Sequence, residues 1–158
     1  MIRNICLSML AAIVLVGCGL LSPRGETARA EAALTAFFDH LARGEYEQAE
    51  ALFGADYEAL TYFNPNTPTE DHAALWRNAC ERNGYQCLPV LRIIQTEKFS
   101  LNEFVISVEF RDAEGAAFMH GPCCGASGEE MPPVSRFEMF VVERDGQYLV
   151  TSLPVYVP

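Results

Sequence analysis

Three histidines and six cysteines are the side chains of this 158-residue chain best suited to proton transfer, metal ligation or thiol chemistry. His120-Gly121-Pro122-Cys123-Cys124-Gly125 sets an imidazole beside two thiols. Together with Cys80 and Cys87 that set has the donors of a zinc site. Zinc sites use C-x2-4-C spacing, however, and neither cysteine pair has it. The redox spacing C-x-x-C, with a helix start that lowers a thiol pKa, is missing as well. The sequence therefore points to no metal and no cofactor. We assign Cys80, Cys87, Cys123 and Cys124 to two disulfides, which an even number of cysteines in an exported chain implies. A bond between the adjacent Cys123 and Cys124 needs a strained peptide. Both are therefore expected to reach back to Cys80 and Cys87, and a local bridge between Cys80 and Cys87 across Asn83-Gly84 is the alternative.

His72 is the main acid–base candidate. On a helix starting at Pro68, with 100° per residue, His72, Leu75, Trp76, Ala79 and Cys80 share an arc of roughly 140°. An imidazole on that face lines a pocket and exchanges protons near neutral pH, or sits at the core edge with one satisfied hydrogen bond. Trp76 shares its face, and His40 borders the apolar stripe of an earlier helix. These three are the pocket candidates, and none is assigned a catalytic role. Asp39 and His40 are adjacent in sequence but point in different directions on a helix, so they form no dyad. Glu45, Glu47, Glu50, Asp56 and Glu58 lack the alternating pattern of a calcium loop and read as a solvated face. No G-x-S-x-G, H-E-x-x-H or phosphate-binding glycine loop occurs in the chain.

The elements that must carry these residues are helices first and strands afterwards. From Ala28 the apolar period is helical, with Ala30, Leu34, Phe37 and Leu41 on one side and Gly44 as the stop. A second helix spans Glu45 to Phe53, and Ala55 to Phe63 adds a further turn or two. Thr67-Pro68-Thr69-Glu70 has the cap hydroxyl, first-turn proline and glutamate of a helix start, and that helix runs to about Arg82. Beyond Gly84, Leu88 to Lys98 is rich in β-branched residues. Phe104, Ile106, Val108 and Phe110 alternate with Val105, Ser107 and Glu109. Ala116 to His120 is extended, and Gly121 to Pro133 is a long loop. Val134 to Arg144 and Gln147 to Val155 form a hairpin across Asp145-Gly146, a type I′ signal. Helices followed by an antiparallel sheet make an α+β class.

The amino terminus reads as an address. Met1 to Asn4 carries one positive charge, and an apolar run from Ile5 to Val16, broken only by Ser8, leads to Gly17-Cys18. Twelve residues reach about 18 Å as a helix, short of the roughly 30 Å of a bilayer core. The pattern is that of a secretory signal. Leu15-Val16-Gly17-Cys18 resembles the lipobox of bacterial lipoproteins. That resemblance implies cleavage before Cys18, which becomes the first mature residue and the site of lipid attachment. Residues 1–17 are then signal peptide, 18–27 a lipidated tether and 28–158 a single domain. The protein would be exported and held by its lipid at the cell membrane or the outer membrane. Loss of Arg3 with the signal takes the formal charge from −10 to −11, and Lys98 is the only lysine. Such a surface is repelled by nucleic acid and by anionic headgroups, which excludes nucleic acid as a partner.

A second resemblance covers most of residues 28 to 157. Phe37 to Phe53, FFDHLARGEYEQAEALF, is similar to the first helix pair of the nuclear transport factor 2-like (SnoaL-like, cystatin-like cone) superfamily. Asp145-Gly146-Gln147-Tyr148-Leu149-Val150 is similar to its closing strand. The paired-cysteine loop at 121–133 and the tail from Leu153 to Pro158 depart from its usual pattern. The resemblance implies helices packed on a curved antiparallel sheet, a cone-shaped half-barrel with a pocket in its mouth. That superfamily hosts isomerases, dehydratases and non-catalytic modules, so fold alone leaves the function open. With no catalytic motif, the expectation is a non-catalytic domain that binds a small apolar ligand or another envelope protein. An isomerase or dehydratase using His72, or a thiol or metal protein, is the alternative.

Overall fold

The computed structural model describes residues 23–158. The segment expected to be a signal peptide, Cys6 within it, and Cys18, the expected site of lipid attachment, lie outside the described residues. Four helices precede the strands: α1 (Pro23–Ala42), α2 (Tyr46–Glu50), α3 (Glu58–Phe63) and α4 (His72–Glu81). The strands are β1 (Tyr85–Gln86), β2 (Val90–Lys98), β3 (Glu103–Phe110), β4 (Phe137–Arg144), β5 (Gln147–Val150) and β6 (Val155–Tyr156). Strands β2-β3-β4-β5 form one antiparallel sheet in sequence order, and β1 pairs with β6 in a separate ribbon. The α+β class and the order of its layers follow the alternation and helical periods read from the residues.

Helix α1 lies across the sheet and touches β2, β3, β4 and β5. Its stripe Ala30, Leu34, Phe37 and Leu41 is buried, and Phe38 beside it is buried as well. From β3, Phe104, Ile106, Val108 and Phe110 point into the same core. Two register shifts in β2, near Val90 and Ile93, are irregularities of the kind that bend a sheet around its helices. At the β4–β5 turn Asp145 and Gly146 both have positive φ, 53° and 83°, as a type I′ turn requires.

Several boundaries differ from the sequence reading: α2 ends at Glu50 where Phe53 was expected, β4 begins at Phe137 and not Val134, β5 ends at Val150 and not Val155, and three further differences have a local cause. Helix α1 begins at Pro23, so residues 23–27, read as tether, are helical. Helix α4 begins later than Thr67-Pro68 indicates. Asp71 is its cap, accepting from the Ala74 amide at 3.0 Å, and residues 68–71 form a turn closed by Asp71 N–H to Pro68 C=O. An aspartate three residues ahead of a free amide satisfies the cap directly, so the threonine is not needed. Thr67 instead accepts a hydrogen bond from the Asn78 side chain at 3.0 Å. The third difference is the ribbon of β1 and β6. It returns the tail to Gly84, whose carbonyl accepts from the Val157 amide at 3.0 Å. Gly84 has φ of +81°, and a Cβ there would meet the Val157 carbonyl, so only glycine fits this approach.

Of the two expected disulfides one forms, in the local pairing given as the alternative, and the reach of Cys123 and Cys124 back to Cys80 and Cys87 is corrected. Cys80 and Cys87 are bonded to each other, with Cα atoms 5.4 Å apart. Cys123 and Cys124 are free thiols, their sulfurs 2.9 Å apart. The turn at Asn83-Gly84 brings the residue just after β1 within disulfide reach of the end of α4, leaving no partner there for the 121–133 loop. Closing so short a loop should stabilise by roughly 2–3 kcal/mol. Replacing both Cys80 and Cys87 by serine is expected to lower the denaturation free energy by about that amount, measured in urea. Labelling of Cys87 in the unreduced, unfolded protein would sink the pairing.

Candidate functional site

His72 opens α4 and meets two residues from earlier in the chain. Its Nδ1 lies 3.0 Å from Glu50 Oε1 at the end of α2. The Tyr57 ring stacks on its face, with centroids 3.8 Å apart and planes 5° from parallel. The side chains of His72 and Glu50 are about one third exposed, 32% and 39%. The result is an imidazole fixed at one nitrogen by a carboxylate and covered on one face by a phenol, at the protein surface.

Beneath it the packing is closed. Trp76 is fully buried and meets Phe37 and Phe53 edge-on at 5.4 and 5.0 Å. Phe37 and Phe53 stack at 5.9 Å, and Phe38 contacts Phe110 at 4.6 Å. The Tyr57 hydroxyl and the Trp76 Nε1–H are buried near one another, with no hydrogen bond to any third group. Burial pushes the Tyr57 phenol pKa up; the nearby indole N–H opposes that, and the Glu50 charge adds to it. Surface clefts of about 280 to 540 Å³ open elsewhere among the described residues, lined by residues other than His72, Trp76, His40, Phe37 and Phe53. Trp76 is thus a core residue, where the sequence had set it on a pocket wall.

His40 is also placed away from these clefts. It sits in the last turn of α1, its Nδ1 2.7 Å from Glu45 Oε2 across the α1–α2 connection, where Arg43 also donates to Glu45 at 2.8 Å. Hydrogen bonds from Arg43 and then His40 hold the Glu45 carboxyl at about 2. The three side chains staple the tight turn after α1. His40 and His72 therefore face different carboxylates, Glu45 and Glu50, and do not converge.

The paired-cysteine loop gathers no third ligand. Cys124 has φ of +60° and Gly125 of +90°, and Cys124 is exposed. The contact with Cys124 raises the Cys123 thiol pKa, which works against thiolate chemistry. Among the described residues no group of three histidine, cysteine or acidic side chains is arranged to hold a metal ion.

A feature that sequence reasoning missed lies at the end of the molecule where β1 and β6 pair. Tyr62, Phe63 and Tyr156 are exposed there, Tyr62 at 80%. Phe63 stacks on Tyr156 at 6.0 Å, with Tyr62 edge-on to Phe63 at 5.3 Å and Tyr85 against Tyr156 at 5.4 Å. A cleft of about 280 Å³ between Phe63, Arg82 and Tyr156 adjoins it. The signal was faint: two aromatics closing a short helix and one in a distant tail, whose proximity depends on the β1–β6 pairing.

No family model matches this chain, and no curated protein does. A solved structure from Streptomyces avermitilis, described as a candidate dehydratase from the NTF2-like family, aligns with it at a TM-score of 0.47. The two share 13% identity over 85% of this chain and 99% of that one.

Proposed function

We propose that this chain is an exported lipoprotein, acylated at Cys18, whose nuclear transport factor 2-like α+β domain acts by binding a partner and not by catalysis. The observation that carries the non-catalytic reading is the filled interior. Trp76, Phe37 and Phe38 are fully buried and Phe53 nearly so, where a cone-shaped enzyme needs a chamber. Acid–base catalysis needs polar groups converging on one enclosed reacting centre. The His72–Glu50 pair opens to solvent over packed rings and offers no such centre. The filled interior leaves a small apolar ligand no room inside the cone, and the exposed aromatics favour an envelope protein as the partner. Exposed aromatics anchor protein interfaces disproportionately, and Tyr62, Phe63 and Tyr156 form such a group. The acylation rests on Leu15-Val16-Gly17-Cys18 after the short apolar run. Among the described residues no helix is long and apolar enough to cross a membrane.

The fixed His72–Glu50 pair is the observation that favours the enzyme alternative, and one experiment separates the two readings. A deletion strain is complemented with His72→Gln and with Tyr62→Ser, with folding checked by thermal melts. Tyr62 is exposed, so its substitution should change stability by no more than about 0.5 kcal/mol. On the binding reading His72→Gln complements as wild type does and Tyr62→Ser does not. An acid–base enzyme should lose roughly 10²- to 10⁴-fold in rate from His72→Gln. A folded His72→Gln protein that fails to complement, beside a Tyr62→Ser protein that succeeds, would overturn the proposal.

A further inference from the structure

The end of the molecule opposite the aromatic group carries a second exposed apolar feature. The β2–β3 hairpin tip presents Phe99 at 74% and Leu101 at 93% exposure, far more than a stable fold needs of them. This tip is fastened to the first turn of α1. Lys98 Nζ, one residue before Phe99, lies 2.6 Å from Glu26 Oε2. Leu101 shares a cleft of about 400 Å³ with Glu26 and Arg29 of α1. On its other side Asn102 is hydrogen-bonded to Glu143 at the end of β4, its carbonyl 2.7 Å from the Glu143 amide. The tip is therefore held rigidly beside the point where the described chain begins.

The length of chain outside the structure decides what this tip faces. From Cys18 to Pro23 is five residue steps, which span at most about 18 Å when fully extended. An acyl chain on Cys18 keeps that residue at the headgroup level. The start of α1, and the tip paired to it, are then held within that distance of the bilayer. The twenty residues of α1 put its far end about 30 Å from its start, towards the Cys80–Cys87 bridge and the β1–β6 ribbon. Lys98 is engaged by Glu26 and Arg29 lies over the Tyr148 ring, so the contact at the tip rests on Phe99 and Leu101 and not on anionic lipid.

We infer that Phe99 and Leu101 insert into the interfacial layer of the membrane that holds the lipid, as a second contact that stands the domain on end. The inference rests on the lipoprotein reading. It orients α1 along the membrane normal and turns Tyr62, Phe63 and Tyr156 outward, towards partners.

The test uses the mature full-length lipoprotein in phosphatidylcholine vesicles containing lipid brominated near the headgroup. Phe99→Trp, Leu101→Trp and Tyr156→Trp are compared with wild type, whose buried Trp76 supplies the background. Intact mass first establishes whether Cys18 carries lipid. With lipid present, the added fluorescence of Phe99→Trp and of Leu101→Trp should shift to the blue and be quenched by bromine. The added fluorescence of Tyr156→Trp should be unaffected. Lipidated protein whose tip indoles stay unquenched overturns the inference and leaves the lipoprotein reading standing. Equal quenching in all three variants overturns the end-on orientation. A mass without lipid on Cys18 refutes the lipoprotein reading, and the inference falls with it.

Discussion

Replacing Cys18 with alanine is expected to release the protein from the membrane fraction almost completely. The anchor proposed at that residue contributes about 0.8 kcal/mol for each buried methylene, and two or more acyl chains hold a protein where one does not. Nothing else among the described residues has that capacity. No described helix can cross a bilayer. A formal charge of −10 over the whole chain opposes attachment to anionic headgroups. The hairpin tip offers only Phe99 and Leu101. Burying each fully would contribute about 1.5–3 kcal/mol, a total near that of a single marginal acyl chain. Fractionation with intact-mass measurement checks the prediction. Wild type should appear as residues 18–158 plus lipid, and the variant should be soluble or remain unprocessed. A Cys18→Ala protein that is processed normally and equally membrane-bound would remove the basis of the proposed anchoring.

Trp76→Ala is expected to cost about 3–5 kcal/mol of folding stability. Its indole is wholly buried and touches the rings of Phe37, Phe53 and Tyr57, which come from separate stretches of the chain. Truncation leaves a cavity at the junction of α1, α4 and the segment between α2 and α3, and rigid aromatic neighbours collapse poorly into such a space. Domains of this size have total stabilities of roughly 5–15 kcal/mol, so the variant should melt on the order of 10–20 °C lower. Differential scanning calorimetry reads the shift. A Trp76 that lined an open pocket would have water on one face, and its removal would cost far less. A melting temperature within a few degrees of wild type would therefore reject the filled interior, and with it the main support for the non-catalytic proposal.

The physical basis of both predictions was legible in the residues to different degrees. Local periodicity is a short-range signal, and it carried the helical stripe through Leu34, Phe37 and Leu41, the alternation of β3 and the Asp145-Gly146 turn. The start of α4 was misread because two cap signals lie close together. Thr67-Pro68 and Asp71 both have the right chemistry, and the one that forms depends on where Thr67 is held by Asn78. His72 was placed on the apolar arc, yet its partners Glu50 and Tyr57 lie in other segments and no spacing rule reaches them.

From the sequence alone came the α+β class, the helices-then-strands order, the expectation of a lipobox-like export signal and the absence of a recognised catalytic motif. Each follows from residue types and intervals over short stretches of chain. Tertiary structure decided that Trp76 fills the core, that Cys80 bonds Cys87, that the two exposed apolar groups lie at opposite ends, and that the tip carrying Phe99 sits beside the start of α1. Those outcomes turn on contacts between segments far apart in the chain, such as the 26–98 ion pair and the 85–156 strand pairing. The free energy of such contacts depends on geometry that residue spacing does not encode.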